Sequence, residues 1–281
     1  MFFIRFTFLF LFLLINFDNA LSQDNKQLED KSYGFQYKVS YKLTFIPDST
    51  NRNDIQVENF DLFLNDSSSL FLSSNFFSMD SMKRAERLRG NSLGPDFAWY
   101  DANGTKNTLV VFKNYNKSEV ICHDKLAPQE TQHFVFPEED KMNWEFYQDT
   151  LHMGGDVCFK AILYFGGREW TAWYNPEIPV ADGPYKFQGL PGLIYRISDS
   201  TDSWVYELIS FKEEPIDFIF NCSDITHVDT SKEEFYKNKI NFYKNRIAIM
   251  KAQGVIFHTK EAEDAMAKRN QKDNNWIELY P

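Results

Sequence analysis

The stretch Tyr33-Gly-Phe-Gln-Tyr-Lys-Val-Ser-Tyr-Lys-Leu-Thr-Phe45 alternates between apolar and polar residues without a break. Every odd position is aromatic or aliphatic, and every even position is small or polar. Because successive side chains of a β-strand point to opposite faces of a sheet, the pattern predicts one long, half-buried strand. Pro47 and Asp48 follow it and predict its end.

Shorter apolar segments follow along the chain and predict further strands. Gly166-Gly167 separates two of them and predicts a two-residue hairpin turn. The predicted strands are Phe60 to Leu64, Leu70 to Leu72, Phe97 to Tyr100, Thr108 to Phe112, Glu119 to His123, His133 to Phe136, Trp144 to Leu151, Val157 to Phe165, Arg168 to Tyr174, Leu193 to Ser198 and Trp204 to Phe211.

Helical periodicity replaces strand alternation near the carboxyl end. Ser231 and Glu234 have the spacing of a capping box, and Gly254 predicts the end of that helix. A second helix is predicted over Glu261 to Lys272, and a short helix or turn over Ser78 to Arg89. The fold class is therefore mainly β (α+β): a large antiparallel sheet, curved or forming an incomplete barrel, with a helical tail over 231–273.

Residues 1–22 have the features of a secretory signal peptide. Arg5 precedes an apolar run of about ten residues, which is too short to cross a bilayer. Ala20 and Ser22 are small residues suited to cleavage before Gln23, and no later run is long enough for a transmembrane span. The protein is thus expected to be exported, to the periplasm or the outer membrane. Its formal net charge of −10, without a basic cluster, argues against nucleic acid as a partner.

Residues with catalytic or metal-binding potential are few. Cys122, Cys158 and Cys222 leave the disulfide pairing open. His152, Met153 and Cys158 are weak candidates for a soft metal, the alternative being a cysteine packed as a small apolar residue. The segment 90–94 matches the G-x-S-x-G pattern but lacks the preceding strand and following helix of a nucleophile elbow. No cofactor and no catalytic residue are predicted.

The segment from Gly167 to Ile194 contains REWTAWYNPEIP, DGPYKFQ and the hexapeptide GLPGLI. It resembles the GLPGLI family of exported Bacteroidota proteins. Trp144, Cys158-Phe-Lys-Ala161 and Asn275-Trp-Ile-Glu-Leu279 resemble other family motifs, with Trp276 in place of a proline. The resemblance implies export and a single β-rich domain over 23–281, and it supplies no activity.

Two interpretations of this segment are open. In the first it lines a binding groove, with these candidate residues: Arg168, Trp170, Trp173, Tyr174, Glu177, Asp182, Tyr185, Lys186, Phe187, Gly189, Leu190, Pro191, Gly192 and Leu193. In the second it is a plug whose aromatic side chains pack inside the sheet. Pro191-Gly192 predicts a type II turn with a positive φ at the glycine in either case.

The leading hypothesis is an exported, non-enzymatic envelope protein that binds an apolar ligand, a peptide or a partner protein through this region. The alternatives are a metal-handling or hydrolytic periplasmic protein with a site near Cys158, and a structural partner in a larger outer-membrane assembly. An open aromatic concavity would favour binding, whereas an apolar outer patch would favour partnership.

Overall fold

The computed structural model describes residues 31–78, 105, 107–128, 130, 132–220 and 227–279. These residues form twelve strands and two C-terminal helices, and residues 74–78 add a helical turn after the third strand. The strands are β1 (Lys31–Phe45), β2 (Gln56–Leu64), β3 (Ser68–Ser73), β4 (Val110–Asn114), β5 (Glu119–Asp124), β6 (His133–Pro137), β7 (Glu145–Met153), β8 (Asp156–Phe165), β9 (Arg168–Asn175), β10 (Leu193–Asp199), β11 (Trp204–Phe220) and β12 (His227–Asp229). The helices are α1 (Lys232–Ala252) and α2 (Lys260–Gln271).

The described strands form a single open sheet in the order β12-β6-β5-β4-β3-β2-β1-β11-β10-β9-β8-β7. Two antiparallel meanders, β1 to β6 and β7 to β11, are joined where β1 pairs with β11. The short strand β12 pairs in parallel with β6 and is the exception to the antiparallel pattern. The predicted fold class, a large antiparallel sheet with a helical tail, is confirmed.

The connection from β6 to β7 shows that the sheet is strongly curved. Only residues 138–144 separate the two strands, and a chain of that length reaches at most about 29 Å. The strands stand ten places apart in the sheet, which would be about 48 Å if the sheet were flat. The sheet must therefore curve so that β6 and β7 approach each other, and residues 138–144 cross its concave side between them.

The concave side holds the main apolar core. The predicted alternation in β1 is confirmed from Val39 onward, because Val39, Tyr41 and Leu43 are buried in this core. Tyr33 and Phe35, at the start of the strand, belong instead to a second cluster with Phe63, Leu70 and Phe218. The residues that close the concave side come from the β9–β10 loop, from α1 and from the last described residues of the chain.

The helical tail matches its prediction closely. The Ser231 side chain accepts a hydrogen bond from the backbone N–H of Glu234 at 3.1 Å, which caps α1. At the other end Gly254 has a φ of 88°, and the backbone N–H of Val255 reaches the carbonyl of Met250, as in a Schellman motif. No helix within the described ranges is long and apolar enough to cross a membrane.

Most predicted strands are present with small shifts at their ends. Gly166-Gly167 forms the predicted hairpin turn, with φ of 59° and 77°. A second glycine pair at Gly154-Gly155 turns β7 into β8 and was not predicted as a hairpin. The structure extends β11 nine residues past its predicted end. The predicted signal peptide, the predicted helix after residue 78 and the predicted strand Phe97 to Tyr100 lie outside the described residues.

Candidate functional site

The β9–β10 loop, residues 176–192, packs inside the curved sheet rather than along an open groove. Among the candidate groove residues, those that lie buried are Arg168, Trp170, Tyr174, Asp182, Tyr185, Lys186, Phe187, Leu190, Gly192 and Leu193. Trp173 is half-buried, whereas Glu177, Gly189 and Pro191 are exposed. Phe187 makes the central contact, because its ring lies 4.8 Å from that of Trp170 and 5.6 Å from that of Tyr185. The loop 176–192 therefore fills the inside of the sheet, and we call it the plug loop.

The turn at Pro191-Gly192 corrects one prediction. Gly192 is not among the residues with positive φ, so the predicted type II geometry is wrong. Close packing requires a glycine at position 192, since a Cβ atom there would lie 2.1 Å from the carbonyl oxygen of Asn175. The loop therefore returns tightly against the end of β9.

Asp182 anchors the first half of the loop to the sheet. Its carboxylate forms a buried ion pair with Lys113 of β4, and accepts hydrogen bonds from the hydroxyls of Ser69 and Tyr115, each at 2.6 Å. The ammonium of Lys113 also donates to the carbonyls of Gly183 at 3.1 Å and of Phe187 at 3.0 Å. Burial lowers the pKa of Lys113 and outweighs the opposing charge of Asp182.

Lys186 anchors the second half of the loop to the carboxyl end of the chain. Its ammonium contacts Glu138 at 2.6 Å and also pairs with Glu278. Lys232 of α1 contacts the same two carboxylates, at 2.9 Å for Glu138 and 2.8 Å for Glu278. The contact with Glu278 Oε2 is an ion pair rather than a well-aligned hydrogen bond. The hydroxyl of Tyr185 donates to the other oxygen of Glu278.

The charges in this cluster support one another. Burial by itself raises the pKa of Glu278, but the charges of Lys186 and Lys232 outweigh it and bring the pKa to about 2. Burial likewise lowers the pKa of Lys186, and the acidic groups around it, including Glu278 and Glu138, raise it well above its usual range. Both groups are thus held in their charged forms.

Arg168 holds the backbone of the last described segment. Its guanidinium donates to Asp199 at 2.9 Å, to the Asn275 side chain at 2.6 Å, and to the carbonyls of Trp276 and Ile277 at 2.6 and 3.0 Å. Asn275 in turn donates to the carbonyl of Ile46, 229 residues away in sequence. The segment 167–194, through Arg168 and Lys186, thus meets the distant segment 275–279 in one polar assembly.

The predicted metal candidates are His152, Met153 and Cys158. In the β7–β8 pairing Cys158 lies opposite Leu151, while His152 lies opposite Val157, so His152 points to the other face of the sheet. Burial, and secondarily Asp156, raises the pKa of Cys158 to about 11, which keeps the thiol protonated. No group of three or more His, Cys, Asp or Glu able to hold a metal occurs among the described residues. Cys122 and Cys158 are free thiols, and Cys222 lies outside the described ranges.

An aromatic pocket of about 110 Å³ lies between the concave sheet and the C-terminal elements. Its wall is built from strands, the loop after β1, the residues before β4, the β9–β10 loop, helix α1 and the last described segment. The apolar lining consists of Phe45, Pro47, Phe60, Phe71, Leu109, Tyr185, Trp204, Tyr206, Tyr236, Tyr243, Trp276 and Ile277. We call it the C-terminal pocket. Tyr185 links it to the plug loop.

The polar groups of the C-terminal pocket lie mainly on one side. Asp124 accepts a hydrogen bond from the Thr108 hydroxyl at 2.6 Å and pairs with Lys239 of α1 at 2.9 Å. Asn107 and Asp273 complete the polar lining. Burial, followed by the nearby charge of Asp273, raises the pKa of Tyr243 to about 12, so its hydroxyl stays a hydrogen-bond donor.

Of the candidate groove residues, only Tyr185 lines this pocket. The sequence does contain one signal for the rest: Trp276 stands where the resembled family ending has proline, and its ring packs edge-on against Tyr243 with centroids 5.5 Å apart. The other lining residues come from distant strands, and local periodicity does not indicate that they meet.

The fold and site define a class: a curved antiparallel sheet closed on its concave side by an internal plug loop and a C-terminal segment. Within that class, residues 166–196 match a family model whose description is "Protein of unknown function (Porph_ging)". The match covers the hairpin turn, β9, the plug loop and the start of β10, and it supports the expectation of a Bacteroidota-type protein of unknown function.

Comparison with solved structures gives similarity to PNGF-II in two crystal forms, P21 and C2. Each is 16% identical, with a TM-score of 0.49, over 73% of this chain and 33% or 32% of the PNGF-II chain. The chain thus spans about a third of the length of these proteins. A search of curated proteins found no match.

Proposed function

We propose that this chain is an exported, non-catalytic envelope protein that binds a small apolar group in the C-terminal pocket. The observation that carries the proposal is the aromatic lining of that pocket, in which Phe, Tyr and Trp side chains from distant elements surround a cavity of about 110 Å³. Pockets of mostly apolar lining with a few polar groups on one side are typical ligand sites.

The size and chemistry of the pocket indicate the kind of group it would hold. An apolar cavity of about 150 Å³ accommodates benzene, so a pocket of about 110 Å³ suits a group no larger than a single aromatic ring or a branched aliphatic group. Asp124, Thr108 and the Tyr243 hydroxyl would hydrogen-bond a hydroxyl or amine substituent. The pocket therefore fits a phenol-like ligand or the aromatic side chain of a peptide.

The buried charged groups support a binding role over a catalytic one. Lys113, Lys186 and Arg168 each have carboxylate partners within the protein, and both described thiols have raised pKa values. The signal peptide predicted over residues 1–22 supports a location in the periplasm or at the outer membrane.

Titration of the purified protein with phenol tests the proposal. Because Trp204 and Trp276 line the pocket, we expect saturable quenching of tryptophan fluorescence with a Kd in the micromolar to low millimolar range. Leu109→Phe places extra volume in the pocket wall and is expected to weaken binding at least tenfold.

Leu151→Phe, the same substitution on the exposed strand β7, is the matched control and should leave the affinity within twofold. Quenching that does not saturate, or that both variants preserve equally, would contradict binding in this pocket.

A further inference from the structure

A second aromatic surface lies on the outer face of strands β7, β8 and β9, away from the core. Tyr164 is 72% exposed and Tyr147 39% exposed, although both are large aromatic residues. They line a shallow groove of about 350 Å³ together with Asn143, Glu145, Ile162 and Glu169. We call this surface the outer groove.

The strand pairing explains how the outer groove forms. Glu145 lies opposite Ile162, and Tyr164 lies opposite Glu169, so each pair presents its side chains to one face. Tyr147 follows on the same strand as Glu145, and its hydroxyl donates to that carboxylate at 3.3 Å. The result is a surface that combines two tyrosine rings with two carboxylates.

The outer groove carries two carboxylates, and one of its rings already contacts a cation of the same chain. Glu145 and Glu169 line it. Partial burial, followed by the charges of Glu145, Glu169 and Asp149, raises the pKa of Tyr147. Lys160 places its ammonium 5.2 Å from the centre of the Tyr147 ring. Tyr164, next to Glu169, offers a second ring for the same cation–π contact.

The groove also borders an edge of the sheet. Strand β7 pairs with β8 on one side and with no described strand on the other. Such an edge presents backbone donors and acceptors to which an extended segment can add as a further strand. Val157, which is 40% exposed, places additional apolar surface on this hairpin.

We propose that the outer groove and the β7 edge form a docking surface for an extended, lysine- or arginine-bearing segment of a partner protein. Basic side chains would lie between the carboxylates and the tyrosine rings, and the backbone would pair with β7. A second copy of this chain suits the surface poorly, because each copy has a formal net charge of −10 and the two would repel each other.

A labelled peptide, acetyl-Lys-Val-Lys-Tyr-Lys-Val-Lys-amide, tests this proposal by fluorescence anisotropy at low salt. We expect saturable binding that weakens about tenfold in the double variant Glu145→Gln, Glu169→Gln, and severalfold in Tyr164→Ser. The peptide with glutamate in place of every lysine should not bind.

The matched control is the double variant Glu213→Gln, Glu214→Gln. It removes an equal number of negative charges, from an exposed part of β11, and should change the affinity less than twofold. Equal weakening in both double variants would overturn the proposal, because it would reflect overall charge alone. A dimer in light scattering that Tyr164→Ser converts to a monomer would overturn it too, by making a second copy the occupant.

Discussion

The plug loop and the β7–β8 hairpin contain the same kinds of residue in opposite surroundings. Each contains aromatic residues, carboxylates and one lysine. In the loop, Lys186 is fully buried between two carboxylates, and the adjacent Trp170 of β9 is fully buried as well. On the hairpin, Tyr164 faces solvent, as does Glu169 opposite it on β9. Aromatic residues beside charged residues therefore occur both in the core and on the surface. What distinguishes the two regions is where the partners of the charged residues lie.

The largest expected difference is between the effects of Trp170→Ala and Tyr164→Ala on the free energy of unfolding. Trp170 is buried beside Phe187, and its removal leaves a large cavity, so we expect a loss of about 3–5 kcal/mol in the free energy of unfolding. Tyr164→Ala should cost less than about 0.5 kcal/mol. Urea unfolding followed by circular dichroism measures both. Similar costs would mean that the two regions are packed alike.

Glu278→Gln tests the charge cluster of the plug. The substitution leaves Lys186 and Lys232 with one shared carboxylate, Glu138, and we expect a loss of about 3 kcal/mol. The counterpart in the outer groove, Glu169→Gln, should change stability by less than about 0.5 kcal/mol. Chemical unfolding at pH 7 gives both values, and a neutral Glu278→Gln would show that the buried charges are dispensable.

The stability of the protein in acid should depend on the same carboxylate. The pKa of Glu278 is about 2 in the folded protein and about 4.3 in an unfolded chain. Its contribution is therefore complete above about pH 4.5 and is lost as the pH falls toward 2, a change on the order of 3 kcal/mol.

Unfolding midpoints measured between pH 6 and pH 2.5 should fall more steeply in the wild type than in Glu278→Gln. Parallel pH profiles would contradict the assignment of this acid-sensitive component to Glu278.

Gly192→Ala compares the two regions at the level of the backbone. A methyl group at Gly192 would meet the carbonyl of Asn175, so the loop must shift, and we expect a loss of about 2–3 kcal/mol. Gly155, in the turn of the hairpin, has open space around it but a φ of 99°, so Gly155→Ala should cost only about 1 kcal/mol. Thermal unfolding provides the ranking, and the reverse order would refute it.

The strands and their hairpins were predictable because their signals are local. The alternation from Val39 to Phe45 and the pair Gly166-Gly167 each encode their structure within a few residues. The parallel pairing of β12 with β6, and the junction of the two meanders at β1 and β11, depend on contacts between segments far apart in sequence. Periodicity contains no information about such partners.

The site was predictable only in part for the same reason. The sequence identified the plug loop as unusual, and it predicted Asp182 and Lys186 as polar contacts for a ligand. Their actual partners are Lys113 on β4 and Glu278 near the carboxyl end. A charged residue in an aromatic segment indicates that a partner exists, but not whether that partner belongs to the same chain.

The contacts of Asn275 have a consequence for the order of folding. They join the end of β1 to a segment 229 residues later, and the adjacent Glu278 completes the charge cluster around Lys186. A chain that emerges amino end first therefore cannot close this core until residues 275–278 have emerged. Such long-range closure gives a high contact order and slow folding.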